Sequence, residues 1–168
     1  KTFRDFDWLV PALAILIVAF GVWEIRNAQP TETYWQKQII GLAIALVAML
    51  AIAFSDYRRL VDLAPVFYIF GLLLLVIVLV PNIGVKVNGQ RCWIQLGPLG
   101  RFQPSEFMKI PVVLMLAKVY GKHRTGSLSW KEALKGVIIL LIPLALILLE
   151  PDTGQAITYL PLLGIVLF

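Results

Sequence analysis

Glu106 and Lys109 stand three positions apart just after Pro104, and they are the first pair whose types and spacing suggest chemistry. Residues three apart share a helix face, and a carboxylate in a first helical turn is favoured by the dipole. The plain reading is an interfacial ion pair that orients a helix end. The sharper one is a site for a charged headgroup, in which Lys109 meets phosphate and Glu106 holds the lysine in place. Spacing alone leaves both open.

A second cluster is the run Glu150-Pro151-Asp152-Thr153-Gly154-Gln155. Pro151 ends the helix before it, and Asp152 followed by Gln155 fits a capping box for the next one. A Gly and Pro interruption between two apolar halves also marks binding sites in membrane proteins, where two carboxylates beside a helix end suit a divalent cation or a sugar hydroxyl. Arg91, Trp93 and Arg101 form a third group. Arginine suits phosphate and tryptophan the face of a sugar ring, although a Trp of this kind commonly rests at a bilayer interface. His123 and its basic neighbours read as a solvated surface, and Asp62 as a helix-terminal residue. No Ser-His-Asp set, zinc-ligand cluster or phosphate loop appears. No tightly bound cofactor is expected, and a divalent cation (magnesium or manganese) stays open.

The elements that must position these residues follow from composition. The chain is 60% hydrophobic and 15% charged, with a mean hydropathy of +0.84. Soluble domains run at about 45–50% apolar and about 25% charged. Such an excess of apolar surface must face lipid, which excludes a soluble domain. The expected fold is all-α, a polytopic integral membrane helix bundle. Apolar runs place spans over 8–25, 39–54, 61–80, 104–120, 130–149 and 156–168, in a single transmembrane domain over 1–168. Trp8 and Trp23, about 22 Å apart at the helical rise, suit interfacial anchors of the first span. The segment 81–103 is different: it is rich in glycine, and Asn88-Gly89 between two β-prone stretches predicts a tight hairpin. A structured loop is expected there. Lys1 stands where an initiator Met would, and Phe168 falls inside an apolar run. The chain is therefore read as an N-terminal fragment of a longer protein.

Loop charge sets the orientation. With the N-terminus inside, nine Lys and Arg residues lie inside and six outside, so the N-terminus is expected in the cytoplasm. The loop 81–103 and the break at 150–155 then both face outward. A net charge of +5 comes from basic residues scattered between apolar runs rather than from a dense patch, which argues against nucleic acid. Cys92 is alone and forms no disulfide within the chain.

The stretch Asn88-Gly89-Gln90-Arg91-Cys92-Trp93-Ile94-Gln95-Leu96-Gly97-Pro98, followed by Arg101-Phe102-Gln103-Pro104-Ser105-Glu106-Phe107-Met108-Lys109, closely resembles the SEDS family (shape, elongation, division and sporulation). Pro151-Asp152-Thr153-Gly154 resembles a second motif of that family, usually Pro-Asp-x-Gly-Thr, with Gln155 in place of the Thr. Cys92 likewise stands where the family usually has a second Arg. The resemblance covers nearly the whole chain, and the Arg-Phe-Gln-Pro-Ser-Glu form is more RodA-like than FtsW-like. It implies a bundle of ten helices, of which about six are present. It also implies a peptidoglycan glycosyltransferase that polymerises lipid II during elongation and shape maintenance, beside a class B penicillin-binding protein. The family's catalytic Asp belongs beyond Phe168, so no catalytic residue is assigned here. Glu106, Lys109 and Asp152 match positions lining the family's cavity, and Arg91 and Trp93 are carried as supporting residues. Two other readings compete: a transporter that flips lipid II, and a non-catalytic scaffold of the cell-wall machinery.

Overall fold

The computed structural model describes residues 6–87, 89–97, 100–121 and 129–167. Asn88, Pro98 and His123, all singled out above, lie outside them. The chain is an all-α membrane helix bundle with one small sheet, and it divides into two compact units, Lys1–Tyr57 and Arg58–Phe168.

The first unit is a pair of long apolar helices, α1 (Leu9–Ala28) and α2 (Tyr34–Phe54). Their windows reach mean hydropathies of 1.9 and 2.2, and both are long enough to cross a membrane. Their apolar side chains point outward, Ile17 at 72% exposure and Val47 at 69%, as lipid-facing side chains do. Aromatic and cationic residues gather at the helix ends. Phe6 meets Trp8 edge-to-face and Phe54 at a tilt, with ring centroids 4.9 and 5.7 Å away. At the other end the Arg26 guanidinium lies over Trp35. Helix α2 starts at Tyr34, five residues ahead of the first apolar residue of the expected span. Its polar first turn is compatible with helix and simply leaves the hydrocarbon.

The second unit holds everything else. The expected span 61–80 is two pieces, α3 (Tyr57–Asp62) and α4 (Ala64–Leu79). Pro65 occupies the first turn of α4, the position where its missing N–H costs nothing. Helices α5 (Pro104–Tyr120) and α6 (Trp130–Leu149) match their expected spans residue for residue. Ser129 and Glu132 form a reciprocal capping box at the start of α6. The last span is again split, into α7 (Thr153–Thr158) and α8 (Leu160–Leu167), with Pro161 in the first turn of α8.

The core of this unit joins Leu75 and Tyr68 of α4, Met108, Val112 and Leu116 of α5, Leu140 and Ile147 of α6, and Tyr159. Gly71 brings α4 and α5 close: a Cβ there would collide with the Met108 sulfur. Prolines inside helices release carbonyls that need partners. Pro143 cannot donate to the Ile139 carbonyl, and the Tyr68 hydroxyl donates to it instead at 2.8 Å. Pro151 likewise leaves the Ile147 carbonyl to the N–H groups of Glu150, at 3.1 Å, and Asp152, at 3.5 Å.

Between α4 and α5 the chain forms an antiparallel sheet in the order β1 (Gly84–Val87), β2 (Gln90–Gln95), β3 (Arg101–Phe102). Gly89 adopts φ 85°, the left-handed conformation a tight hairpin demands. Val85 pairs with Trp93 and Lys86 with Arg91, so Cys92 is a bulge without an opposite residue. The bulge turns Cys92 inward, where 1% of it is exposed.

Candidate functional site

Helix α5 and the break between α6 and α7 meet at the sheet end of the second unit, and two glutamines tie them together. Gln103, the residue that opens α5, donates its side-chain amide to the Asp152 carboxylate at 2.7 Å. Gln155, in the first turn of α7, donates in the opposite direction to the Glu106 carboxylate on α5. Lys109 reaches the second Glu106 oxygen at 3.0 Å, the i,i+3 pair that the spacing predicted. Asp152 caps α7 by accepting from the Gln155 N–H at 3.1 Å. The capping box is thus half realised, because the Gln155 side chain crosses to Glu106 rather than returning to Asp152. Gln90, at the hairpin, donates to the Pro151 carbonyl at 3.1 Å, and the Tyr159 hydroxyl donates to the Ser105 carbonyl at 3.0 Å. These contacts join the loop 81–103, the first turn of α5 and the break at 150–155 into one polar cluster on an apolar bundle.

Exposure divides the cluster. The Glu106 side chain is 54% exposed and that of Lys109 26%, so this pair is open to a ligand. Asp152 and Glu150 are buried beneath it, Glu150 completely. Burial, with the Asp152 charge beside it, pushes the Glu150 carboxyl up to about 8. Burial also raises the Cys92 thiol to about 11, with Asp152 and Glu150 adding to the effect.

Arg91 and Trp93 are placed differently. The Arg91 guanidinium donates to the Leu79 carbonyl at 3.4 Å, where a cation complements the C-terminal end of α4. Gly84 permits that approach, since a Cβ there would meet the Val78 carbonyl and, at 2.7 Å, the Arg91 side chain. Trp93 is half-buried in β2, and Arg101 is exposed on β3. Among the described residues no hydrogen bond links Arg91, Trp93 or Arg101 to Glu106, Lys109 or Asp152. Asp62 closes α3 at the opposite end of the unit, where its backbone carbonyl accepts from Lys118 at 2.7 Å. The sequence marks Gln155 as a capping residue and Gln103 as part of a motif, but neither as a link between the two motifs. Among the described residues no group of three or more His, Cys, Asp or Glu side chains could hold a metal ion.

Comparison with known proteins shows which family the chain resembles. A family model described as cell cycle protein, FtsW/RodA/SpoVE, matches residues 6–168. The peptidoglycan glycosyltransferase RodA of Treponema pallidum is 32% identical, over 98% of this chain and 38% of the relative. An FtsW of Hydrogenovibrio crunogenus is 37% identical, over 88% of this chain and 40% of the relative. The chain thus spans well under two thirds of the curated relatives it matches. Among solved structures, the rod shape determining protein RodA of Thermus thermophilus superposes with a TM-score of 0.80 at 36% identity, covering 95% of this chain and 52% of that one. A peptidoglycan synthase complex that coordinates polymerisation and crosslinking contains a chain matching with a TM-score of 0.78 at 37% identity, covering 92% of this chain and 45% of that one. With a helix bundle, two linked motifs and a family match over residues 6–168, this chain belongs to the FtsW/RodA/SpoVE family of membrane proteins.

Proposed function

We propose that the protein is a peptidoglycan glycosyltransferase of the RodA type, polymerising lipid II at the outer face of the bacterial cytoplasmic membrane during elongation. One observation carries this reading: Glu106, Lys109 and Asp152 are bound through Gln103 and Gln155 into a single polar cluster at one end of an apolar bundle. The names of the relatives, peptidoglycan glycosyltransferase among them, support it.

In the reaction, the acceptor sugar's 4-hydroxyl oxygen forms a bond to the donor's anomeric carbon. The bond from that carbon to the diphosphate oxygen breaks, and undecaprenyl diphosphate leaves with the electron pair. The hydroxyl proton passes to a carboxylate, which the family resemblance places beyond Phe168. The residues present here bind and orient. Lys109, held by Glu106 at 3.0 Å, supplies a cation for the diphosphate. Asp152, whose oxygens are fixed by Gln103 and the Gln155 N–H, accepts a hydrogen bond from a sugar hydroxyl at its remaining lone pairs. A class B penicillin-binding protein is the proposed partner, in keeping with the solved synthase complex. The charge distribution supports a cytoplasmic N-terminus.

Purified full-length protein given lipid II, with no other polymerase, tests the reading. Glycan strands are the expected product. Headgroup translocation in sealed vesicles without polymer would replace the enzyme with a transporter, and neither activity would leave a scaffold.

A further inference from the structure

Glu150 is a charged residue type in a place that rejects charge. It closes α6, none of its surface reaches solvent, and neither carboxylate oxygen has a hydrogen-bond partner among the described residues. The groups around it come from several elements. Asp152, across Pro151, is the negative charge that acts on it. Cys92 of β2 and Tyr159, between α7 and α8, are neutral groups in electrostatic contact with it. No cation is hydrogen-bonded to it among the described residues: Arg91 donates to the Leu79 carbonyl, with its Nε buried and unpaired, and Lys109 pairs with Glu106.

A buried carboxylate with no partner is held at a penalty that a proton removes. A second negative charge two residues from Asp152 would add repulsion in a medium that screens it poorly. We propose that Glu150 works as a carboxylic acid, a positioning residue whose proton leaves Asp152 as the single negative charge at the helix break. Asp152 can then keep both of its fixed contacts, to Gln103 and to the Gln155 N–H. Ionised Glu150 would push against Asp152 and draw water toward the bulge at Cys92, loosening the break from α5.

The direction with pH follows. The carboxyl moves from 4.5 to about 8 on folding, so between those values the folded chain holds a proton that the unfolded chain has lost. Stability therefore falls as pH rises through that window. The acid form itself drops on the order of tenfold between pH 7 and pH 9.

The activity half of this inference rests on the glycosyltransferase reading; the proton half does not. Both are tested on the full-length protein by infrared pH titration and by lipid II polymerisation, with Glu150→Gln as the neutral isostere. The wild type is expected to show a protonated-carboxyl C=O band at pH 7 that fades above pH 8 and is missing from Glu150→Gln. Polymerisation by Glu150→Gln should stay within about twofold of wild type at pH 7 and exceed it on the order of tenfold at pH 9, following the loss of the acid form. No such band at pH 7, an inactive but inserted Glu150→Gln, or the same alkaline fall in both proteins would overturn the proposal. Should neither protein polymerise lipid II, the glycosyltransferase reading fails while the band still decides the proton.

Discussion

Asp152 is held from two directions, by the Gln155 N–H at 3.1 Å and the Gln103 amide at 2.7 Å. The first contact caps a helix and the second ties that helix to α5. Capping asks only for an oxygen acceptor, which Asn provides about as well as Asp. Gln103 donates to the other Asp152 oxygen, which Asn replaces with NH2, so the Gln103 amide turns over and its oxygen accepts from the Asn instead. Asp152→Asn therefore leaves folding nearly untouched, within about 1 kcal/mol, while removing the carboxylate charge at the helix break. If that charge serves the substrate, polymerisation by full-length Asp152→Asn falls at least on the order of tenfold, the scale of a lost charged contact. Normal polymerisation with a normal melting curve would reduce Asp152 to a cap. The contrast with Arg91 is instructive. Its charge type suits phosphate, but a helix C-terminus offers a carbonyl closer to hand, and the guanidinium takes it.

At the scale of elements, a carbonyl freed by proline ties α6 to α4. Pro143 lies inside α6, fully buried, and the hydroxyl of Tyr68 on α4 donates to the Ile139 carbonyl that Pro143 cannot serve. Tyr68→Phe removes that donor and leaves a buried acceptor unpaired, which costs about 1–3 kcal/mol. In Pro143→Ala the helix supplies its own N–H to Ile139, so Tyr68→Phe should cost little in that background. A double-mutant cycle on thermal or denaturant unfolding measures the coupling; equal costs in both backgrounds would break the link. This pairing was not legible in the sequence, because nothing local connects residues 68 and 139. What could be read was local or periodic: the ends of α5 and α6, set by Pro104, Trp130 and apolar length; the turn at Gly89; the cap at Asp152. The glutamines were missed for the opposite reason. Neutral amides carry no periodicity and no charge signal, and only the fold shows that they span from one motif to the other.

For the whole molecule, the polar groups of the second unit are sorted to its two ends. The cluster of Gln103, Glu106, Lys109, Asp152 and Gln155 lies at one, and the Lys118 contact to Asp62 at the other, with α4, α5 and α6 between. A helix of 20 residues such as α6 spans about 30 Å, the thickness of the hydrocarbon core. The two ends should then lie on opposite sides of the membrane, and thiol labelling can read which is which. Leu96, just after β2, and Trp130, at the start of α6, are 46% and 82% exposed, so a cysteine at either position is open to reagent. The native Cys92 needs no removal, being buried with its thiol raised to about 11. Reaction with maleimide requires the thiolate, and Cys92 supplies almost none at neutral pH. In intact cells a membrane-impermeant maleimide should leave the wild type unlabelled and label Leu96→Cys. Trp130→Cys should react only after permeabilisation. The reverse pattern would invert the orientation and put the Glu106, Lys109 and Asp152 cluster in the cytoplasm, out of reach of an outer-leaflet donor. Labelling of both from one side would mean that α6 does not cross.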